Sequence, residues 1–404
     1  MSDSEQRIAH GQSATLSVVD GDLVLEGSTV TAASGLIKVR GDVIVNRRSF
    51  VKGDLEASEI RGEGDLDVQG NLEADEIRLD DGASLEVSGN LRSGDVDVPN
   101  SFKVGGTTVI DDLRVGGIAT LSGDARMEDV RVGGTLRATA AMQASDLNVG
   151  GVVEAKSVVC EDVKVGGSFN AESLKADDVQ VGGTLRVTGE AKMGDLVVGG
   201  TVEIGHGEIE DGHIGATLRA SGDFAFEDIN VGGQMVLGSG KGESMSVGGV
   251  LEVDGDLTLS DDLSIGGRAM VRGSAKAGSV GVGGELEAQR LISERDLKVG
   301  RNLTTTQGAK GGEVEIGNNG VVKGPLVGES VKVKHGSTTD DIYAEELWLG
   351  DDCSVGNIYA ERAEVGRGCR VSGKLLYTED VSLGKDVSLN AQPEKVGSLP
   401  SPPL

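Results

Sequence analysis

Along most of this chain aliphatic and polar residues alternate in short runs, and each run ends at a glycine step that itself recurs. The step is an aliphatic residue followed by Gly, usually Val-Gly-Gly. Its first glycine falls at Gly116, Gly133, Gly150, Gly166, Gly182, Gly199, Gly215, Gly232, Gly248, Gly266, Gly283, Gly300 and Gly317, then at Gly350, Gly366 and Gly384, with Lys334 in the one missing slot. Between Gly116 and Gly384 lie 268 residues in 16 intervals, about 16.75 per turn. A fixed period of this length marks a repeat architecture in which each unit completes its core only against its neighbours.

Aligning the 17 turns on the glycine separates inward from outward positions. The preceding residue is aliphatic in every turn, from Val115 to Leu383. Three residues after the glycine a second column is apolar in 15 of 17 turns, with Gly320 and Ser337 the exceptions; a third follows two residues later, for example Val187, Ile204, Leu237 and Val355. Offsets of the same parity place side chains on one face of a strand. Four residues before the glycine the column is acidic in 13 of 17 turns, including Asp129, Asp162, Asp178, Asp195, Asp228, Asp262 and Asp296, each usually followed by an aliphatic residue. Period-2 strands without a 3.6-residue pattern predict an all-β, single-stranded parallel β-helix, a β-solenoid in which successive turns pair in parallel. Glycine suits its corners because it tolerates positive φ and lets stacked backbones approach.

Before the regular array, the step reads Val-x-Gly-Asp/Asn-aliphatic, as in Val39-Arg40-Gly41-Asp42-Val43, Val51-Lys52-Gly53-Asp54-Leu55, Val68-Gln69-Gly70-Asn71-Leu72 and Val87-Ser88-Gly89-Asn90-Leu91. The expected organisation is a polar N-terminal tail over 1–13, irregular β-helix turns over 14–103, a regular Val-Gly-Gly β-helix over 104–391 and a Pro-rich disordered tail over 392–404, which holds four of the six prolines. About 22 turns at ~4.8 Å per stacked strand make a coil of about 100 Å. The irregular, non-hexad turns predict a right-handed coil.

Composition narrows the core. Only 5 Phe, 3 Tyr and 1 Trp accompany 65 Gly, so Val, Leu, Ile and Ala must fill a thin interior. With 38 basic against 66 acidic residues the formal charge is −28, which disfavours nucleic acid and anionic membrane as partners, both of which recruit Lys and Arg. A salt-loving cytoplasm would explain such acidity, as would simple solubility. The opening MSDSEQRIAHGQS has no apolar core of a signal peptide, and no stretch has 18 consecutive apolar residues, so a cytoplasmic location without direct membrane insertion is expected. Cys160, Cys353 and Cys369 form neither a CxxC zinc pattern nor a disulfide framework.

Candidate chemistry is sparse. His206 and His213 with Glu208, Glu210 and Asp211 offer a metal set, against which stands an irregular exposed corner, since Gly212 occupies a normally aliphatic position. Cys353 and Cys369 fall in the second core column on consecutive turns, where buried cysteine behaves as a small apolar residue. The acidic column places like charges at strand spacing, a repulsion that salt reduces. No catalytic, cofactor or metal residue is assigned, and no cofactor is expected.

A glycine-punctuated, Val-Gly-Gly-type parallel β-helix with polar tails resembles the bactofilins, the polymer-forming cytoskeletal proteins, and its length and acidity are most similar to the halofilins of halophilic archaea. The resemblance covers roughly residues 15–390 and rests on the repeat pattern. It implies a non-enzymatic scaffold that self-associates end to end without nucleotide, serves cell shape, works with envelope or cytoskeletal protein partners and reaches the membrane through one of them. The chain departs from the family in having more turns than a compact bactofilin domain and no apolar N-terminal membrane-binding segment. From position in the stack, the expected polymerisation ends are Leu23, Val43 and Phe50 on one side and Leu376, Tyr377, Val381, Leu383 and Val387 on the other. Two other functions compete. Six-residue spacing in Leu349-Gly350-Asp-Asp-Cys-Ser-Val355 and Val365-Gly366-Arg-Gly-Cys-Arg-Val371 suggests a left-handed hexapeptide enzyme, such as an acyltransferase or carbonic anhydrase, but strict hexads need 18 residues per turn and only His335 lies nearby. A passive surface or adhesion rod would need secretion.

Overall fold

The structure is a computed structural model and describes residues 5–404. Its described residues form strands and turns with no helix, and the strand pairs given are all parallel, so the chain is a β-solenoid of about 23 turns. Contacts divide it into two compact units, one ending at Ile204 and one beginning at Gly205. Each unit is coiled in the same way.

In the first unit every turn contributes inward side chains to three stacked faces. One face carries Ala119, Leu136, Val153, Phe169 and Leu185, a second Ala125, Met142, Val158, Leu174 and Ala191, and a third Val130, Leu147, Val163, Val179 and Leu196. All are buried. Ala beside Leu, Phe or Met in one column keeps the thin interior filled at native density. The earlier turns share this core but vary in length. Leu23, Val43, Ile60, Ile77, Val96 and Leu113 stand successively opposite one another, at intervals of 20, 17, 17, 19 and 17 residues. Extra residues enter within a strand at a register shift, as between Thr31 and Leu36, or in a turn, as over 80–84, and this hides the period from a search for fixed spacing. Coiling also starts earlier than expected. Gln6–Ile8, within the expected polar tail, pairs with Leu23–Glu26 and buries Ile8.

Glycine at the Val-Gly-Gly corners answers only one of the two expected needs. None of these glycines has positive φ. Instead, a Cβ built on Gly133 would stand 2.3 Å from the carbonyl oxygen of Gly116, and one on Gly150 would stand 2.4 Å from that of Gly133. Amides bridge the same corner, as from Gly133 N to Val115 O at 2.8 Å and from Gly150 N to Val132 O at 2.9 Å. Close stacking of one turn on the next is what excludes a side chain. At another corner, the one that Gly53, Gly70, Gly89, Gly106 and Gly123 stack along, an Asp or Asn oxygen accepts an amide from the following turn: Asp54 from Asn71, Asn71 from Asn90 and Asn90 from Thr107, each at 2.8 Å. The looser N-terminal step therefore lies at a different corner from the Val-Gly-Gly step, whose Gly116 stacks on Pro99, and its side-chain bond adds to the backbone bonds from Ser88 N to Val68 O and from Gly89 N to Gly70 O, both 2.9 Å.

The second unit has a core column of its own, Leu263, Val280, Leu297, Val314, Val331, Leu347, Ala363 and Val381. Its later corners are of another kind. Asn319, Gly336, Asp352, Gly368 and Asp386 have φ of 54°, 72°, 58°, 70° and 60°, so the chain turns through a left-handed residue two positions after the step. Only Gly, Asn and Asp enter that region at low cost, and only they appear. Lys334 replaces the missing glycine there without breaking the ladder: its amide bonds Ile316 O at 3.0 Å, and its ammonium pairs with Glu315. The two exceptions in the second core column belong together. Gly320 leaves room for fully buried Ser337, whose Oγ accepts the Gly320 amide at 3.1 Å and donates to Gly317 O at 2.9 Å.

Residues 392–404, expected to be disordered, lie against the coil. Glu394–Lys395 pairs with Leu376 and Tyr377, and Pro393, Val396, Leu399 and Leu404 are half-buried. Four prolines prevent a full strand but not a docked extended segment.

The corner geometry gives a first prediction. Gly150→Ala should destabilise the protein by about 1–3 kcal/mol, the usual cost of forcing an atom into a packed site, whereas Gly82→Ala, with nothing within 4 Å of its Cβ, pays only for its positive φ. Equal denaturation midpoints for Gly150→Ala and wild type would refute the stacking account.

Candidate functional site

Two open edges and one charged ladder are the features that depart from a uniform coil. At the N-terminal edge of the first unit, Gln6–Ile8, Ser13–Leu16 and Val18–Val19 each pair on one side only. Val18 is 52% exposed and Ala14 and Leu16 are half-buried. Leu23 and Val43 do not belong to this edge. Both are fully buried, because the strand Gln6–Ile8 covers Leu23 and Leu23 covers Val43. Phe50 is half-buried on the outer surface, with the Arg48 guanidinium carbon 5.3 Å from its ring centroid. A polar opening stretch concealed the covering strand from sequence reasoning; the alternation Gln-Arg-Ile is too short to read.

At the far edge of the second unit, Leu375–Leu383 is paired by Glu394–Lys395 at Leu376 and Tyr377 only, and Ser388–Leu389 pairs on one side. Val381, Leu383 and Val387 continue the inward columns above Ala363, Val365 and Cys369. No further turn covers them. Val381 and Val387 are half-buried and Leu383 is 41% exposed, whereas Ala363, Val365 and Cys369 one turn earlier are at most 5% exposed. The structure thus brings together three of the five residues expected on this side as an uncovered core end beside unpaired backbone, and sets Leu376 and Tyr377 under the closing segment. Unpaired strand backbone and uncovered apolar side chains are the two elements needed for edge-to-edge pairing.

The acidic column extends further than the sequence suggested. Glu59, Glu76, Asp95, Asp112, Asp129, Asp146, Asp162, Asp178 and Asp195 stand in one unbroken register across the first unit. Glu59, Glu76 and Asp95 escaped the glycine alignment because the corners that follow them carry Glu63, Asp80 and Pro99 where later turns carry glycine. Two residues on runs a mostly neutralising column, broken by Asp97: Arg61, Arg78, Arg114 and Arg131 each pair with the acid of their own strand, Arg131 at 3.2 Å from Asp129. Beyond Arg131 this column becomes Asn148, Lys164, Gln180 and Val197. Loss of water, then Asp129 and Asp162, push the Asp146 carboxyl above the usual carboxylate range, and loss of water, then Asp162 and Asp195, do the same to Asp178. In the second unit serine interrupts the column, Ser244 opposite Asp228 and Ser279 opposite Asp262. Arg362 there joins Glu346 to Glu379.

Cys353 and Cys369 occupy the core column as expected, buried and unbonded to each other. Their Sγ atoms point at Lys334 O (3.2 Å) and Gly350 O (3.0 Å), and burial raises both thiol pKa values; that of Cys160 is pushed up to about 12, again by burial. His206 and His213 are exposed, and no group of three or more metal-type side chains is assembled among the described residues. Gly212 faces the interior, where Ile229 Cγ1 would be 3.1 Å from an added Cβ. His335 stands 3.7 Å from Asp352 on the surface. Among the described residues no helix is long and apolar enough to cross a membrane.

Comparison with known proteins gives no match to a family model, to a curated protein or to a solved structure.

Two predictions follow from these charges and thiols. Asp146 has a folded pKa above its unfolded one, so its protonation favours the folded state; the ladder's contribution to stability grows as pH falls into the carboxylate range and is lost as pH rises through the folded pKa. Asp146→Asn should therefore stabilise the protein at neutral pH and low salt, by about 0.5 kcal/mol after solvent screening, and the gain should vanish at pH 3 and in molar KCl. A melting temperature that does not move between low and molar KCl would contradict the ladder's repulsion. For the cysteines, a disulfide-exchange reagent should find no fast thiol in the native protein at pH 8 and three in denaturant; rapid native labelling of Cys353 or Cys369 would show that the column opens.

Proposed function

We propose that this protein is a structural scaffold that self-associates end to end, without nucleotide, into polymers of the bactofilin kind, most like those of the halofilins, and that it serves cell shape in the cytoplasm. The observation that carries the reading is the uncovered core end of the second unit: Val381, Leu383 and Val387 present the inward columns to solvent beside unpaired strand backbone from Thr378 to Leu383. A second copy brought to that edge extends the parallel ladder and buries these side chains, so assembly repeats the contact that already joins turn to turn. On this reading the candidate partner surface on the first unit moves from Leu23 and Val43 to Ala14, Leu16 and Val18. The −28 charge supports a salt requirement, because like-charged chains associate only when screened. Envelope or cytoskeletal proteins would supply any membrane contact.

Negative-stain microscopy and sedimentation at low and molar KCl test the reading. Wild-type protein is expected to form filaments that lengthen with salt. Leu383→Glu and Val387→Glu should shorten them, with critical concentrations raised about tenfold or more, as burial of an unpaired charge at an interface demands. Monomers throughout the salt series at high protein concentration would overturn the proposal.

A further inference from the structure

One outward-facing column of the second unit changes character along its length. It runs Lys241, Thr258, Lys276, Ile292 and Lys310, then Val327, Tyr343, Tyr359 and Leu376. Its inner neighbours Leu326, Ile342, Ile358 and Leu375 are at most 1% exposed, so alternation turns the second set outward. Solvent should wet such positions. Yet Val327 is only 8% exposed and Tyr343, Tyr359 and Leu376 are half-buried, with the two tyrosine rings stacked at 4.7 Å between centroids. Partial burial also raises both phenol pKa values.

The cover is the closing segment of the chain. It is fixed at one end by the Val396 amide on Tyr377 O (2.8 Å) and the Lys395 ammonium on Glu379 O (3.1 Å). At the other, Leu404 Cδ1 occupies the space beside Gly308, 2.8 Å from where a Cβ would lie, next to Pro325. Four strand spacings, about 19 Å, separate the level of Leu376 from that of Lys310. Eight residues from Val396 to Leu404 reach about 25 Å as polyproline II, enough to follow the stripe from end to end. Pro393, Val396 and Leu399 turn inward at intervals of three, the polyproline II period. Aromatic stripes that take extended Pro-rich segments are a recurring recognition mode.

We propose that the stripe Val327, Tyr343, Tyr359 and Leu376 is a docking surface for the 393–404 segment of a second copy of this chain, and that the contact within one chain is the closed form of the same interaction. The attachment is of the exchangeable kind: two paired strand residues and a few apolar side chains, joined to the coil through exposed Ala391 and Gln392, just after the Asn390 amide that bonds Val371 O at 3.0 Å. Identical segments that leave one protomer can fill the same site on another. This association is lateral and does not depend on the core ends.

Complementation between two full-length variants tests it. Val396→Glu/Leu399→Glu/Leu404→Glu has a free stripe and no competent segment; Tyr343→Ser/Tyr359→Ser has the segment and no stripe. Both keep the core ends, so end-to-end association appears in each alone and in the mixture alike. Circular dichroism checks that both fold, and trypsin cleavage after Lys395 reports docking in each. Wild type is expected to be cut about tenfold more slowly than either variant, and labelled variants mixed at high concentration should give more energy transfer than end-to-end association gives either alone, with Kd on the order of 100 µM for the excess. Faster cleavage without a mixed complex would leave only a strap within one chain and overturn the exchange. Unchanged cleavage in both variants would overturn the docking surface itself.

Discussion

Everything in this protein depends on one contact, the parallel backbone ladder between a turn and the next. A turn of about 17 residues cannot bury its own apolar side chains, since three or more inward faces close only when another turn lies on them. The ladder sets the spacing at which that happens. At the corners it brings backbone within 2.3–2.4 Å of where a side chain would begin, as at Gly133 and Gly150, so glycine is a requirement of the ladder before it is a matter of φ. Left-handed Asn, Asp and Gly at the late corners are another solution, and the early Asp and Asn add side-chain bonds at a separate corner whose own glycines are as closely stacked.

Stacking identical turns also multiplies whatever the outer face carries. Nine acids in register across the first unit are one consequence, tolerated while arginine runs beside them and under strain where Asn148, Gln180 and Val197 take its place. The aromatic stripe of the second unit is another. Because neighbours in a column are only a strand spacing apart, four outward substitutions create a continuous apolar surface, and the chain's own Pro-rich segment covers it. The same logic makes the ends special, for there the ladder simply stops. Val381 and Leu383 are ordinary core residues made accessible by having nothing above them.

How far this was legible in the sequence can be seen residue by residue. The core columns from Val115 to Leu383, the acidic column and the inward placement of Cys353 and Cys369 could be read directly, since a fixed spacing preserves parity over any distance. Leu23 and Val43 could not be judged correctly, because whether a core residue is terminal depends on one short strand, Gln6–Ile8, with no periodic signature of its own. Glu59, Glu76 and Asp95 were hidden for another reason: Glu63, Asp80 and Pro99 stand at their corners in place of glycine, so a count that starts from the glycines never reaches them.

The sequence by itself determined the fold class, the inward and outward sides of each strand and the places where glycine is obligatory, because these follow from local alternation and a repeated steric demand. Only the tertiary structure decided which turns carry extra residues, which strand closes the N-terminal edge, and that residues 392–404 lie on the surface instead of leaving it. Those outcomes rest on contacts between residues many positions apart, where no period connects the partners. Prolines at 393, 400, 402 and 403 mark a segment that cannot join the ladder in full; that it has a complementary stripe to lie on emerges only when Val327, Tyr343, Tyr359 and Leu376 are stacked into one line.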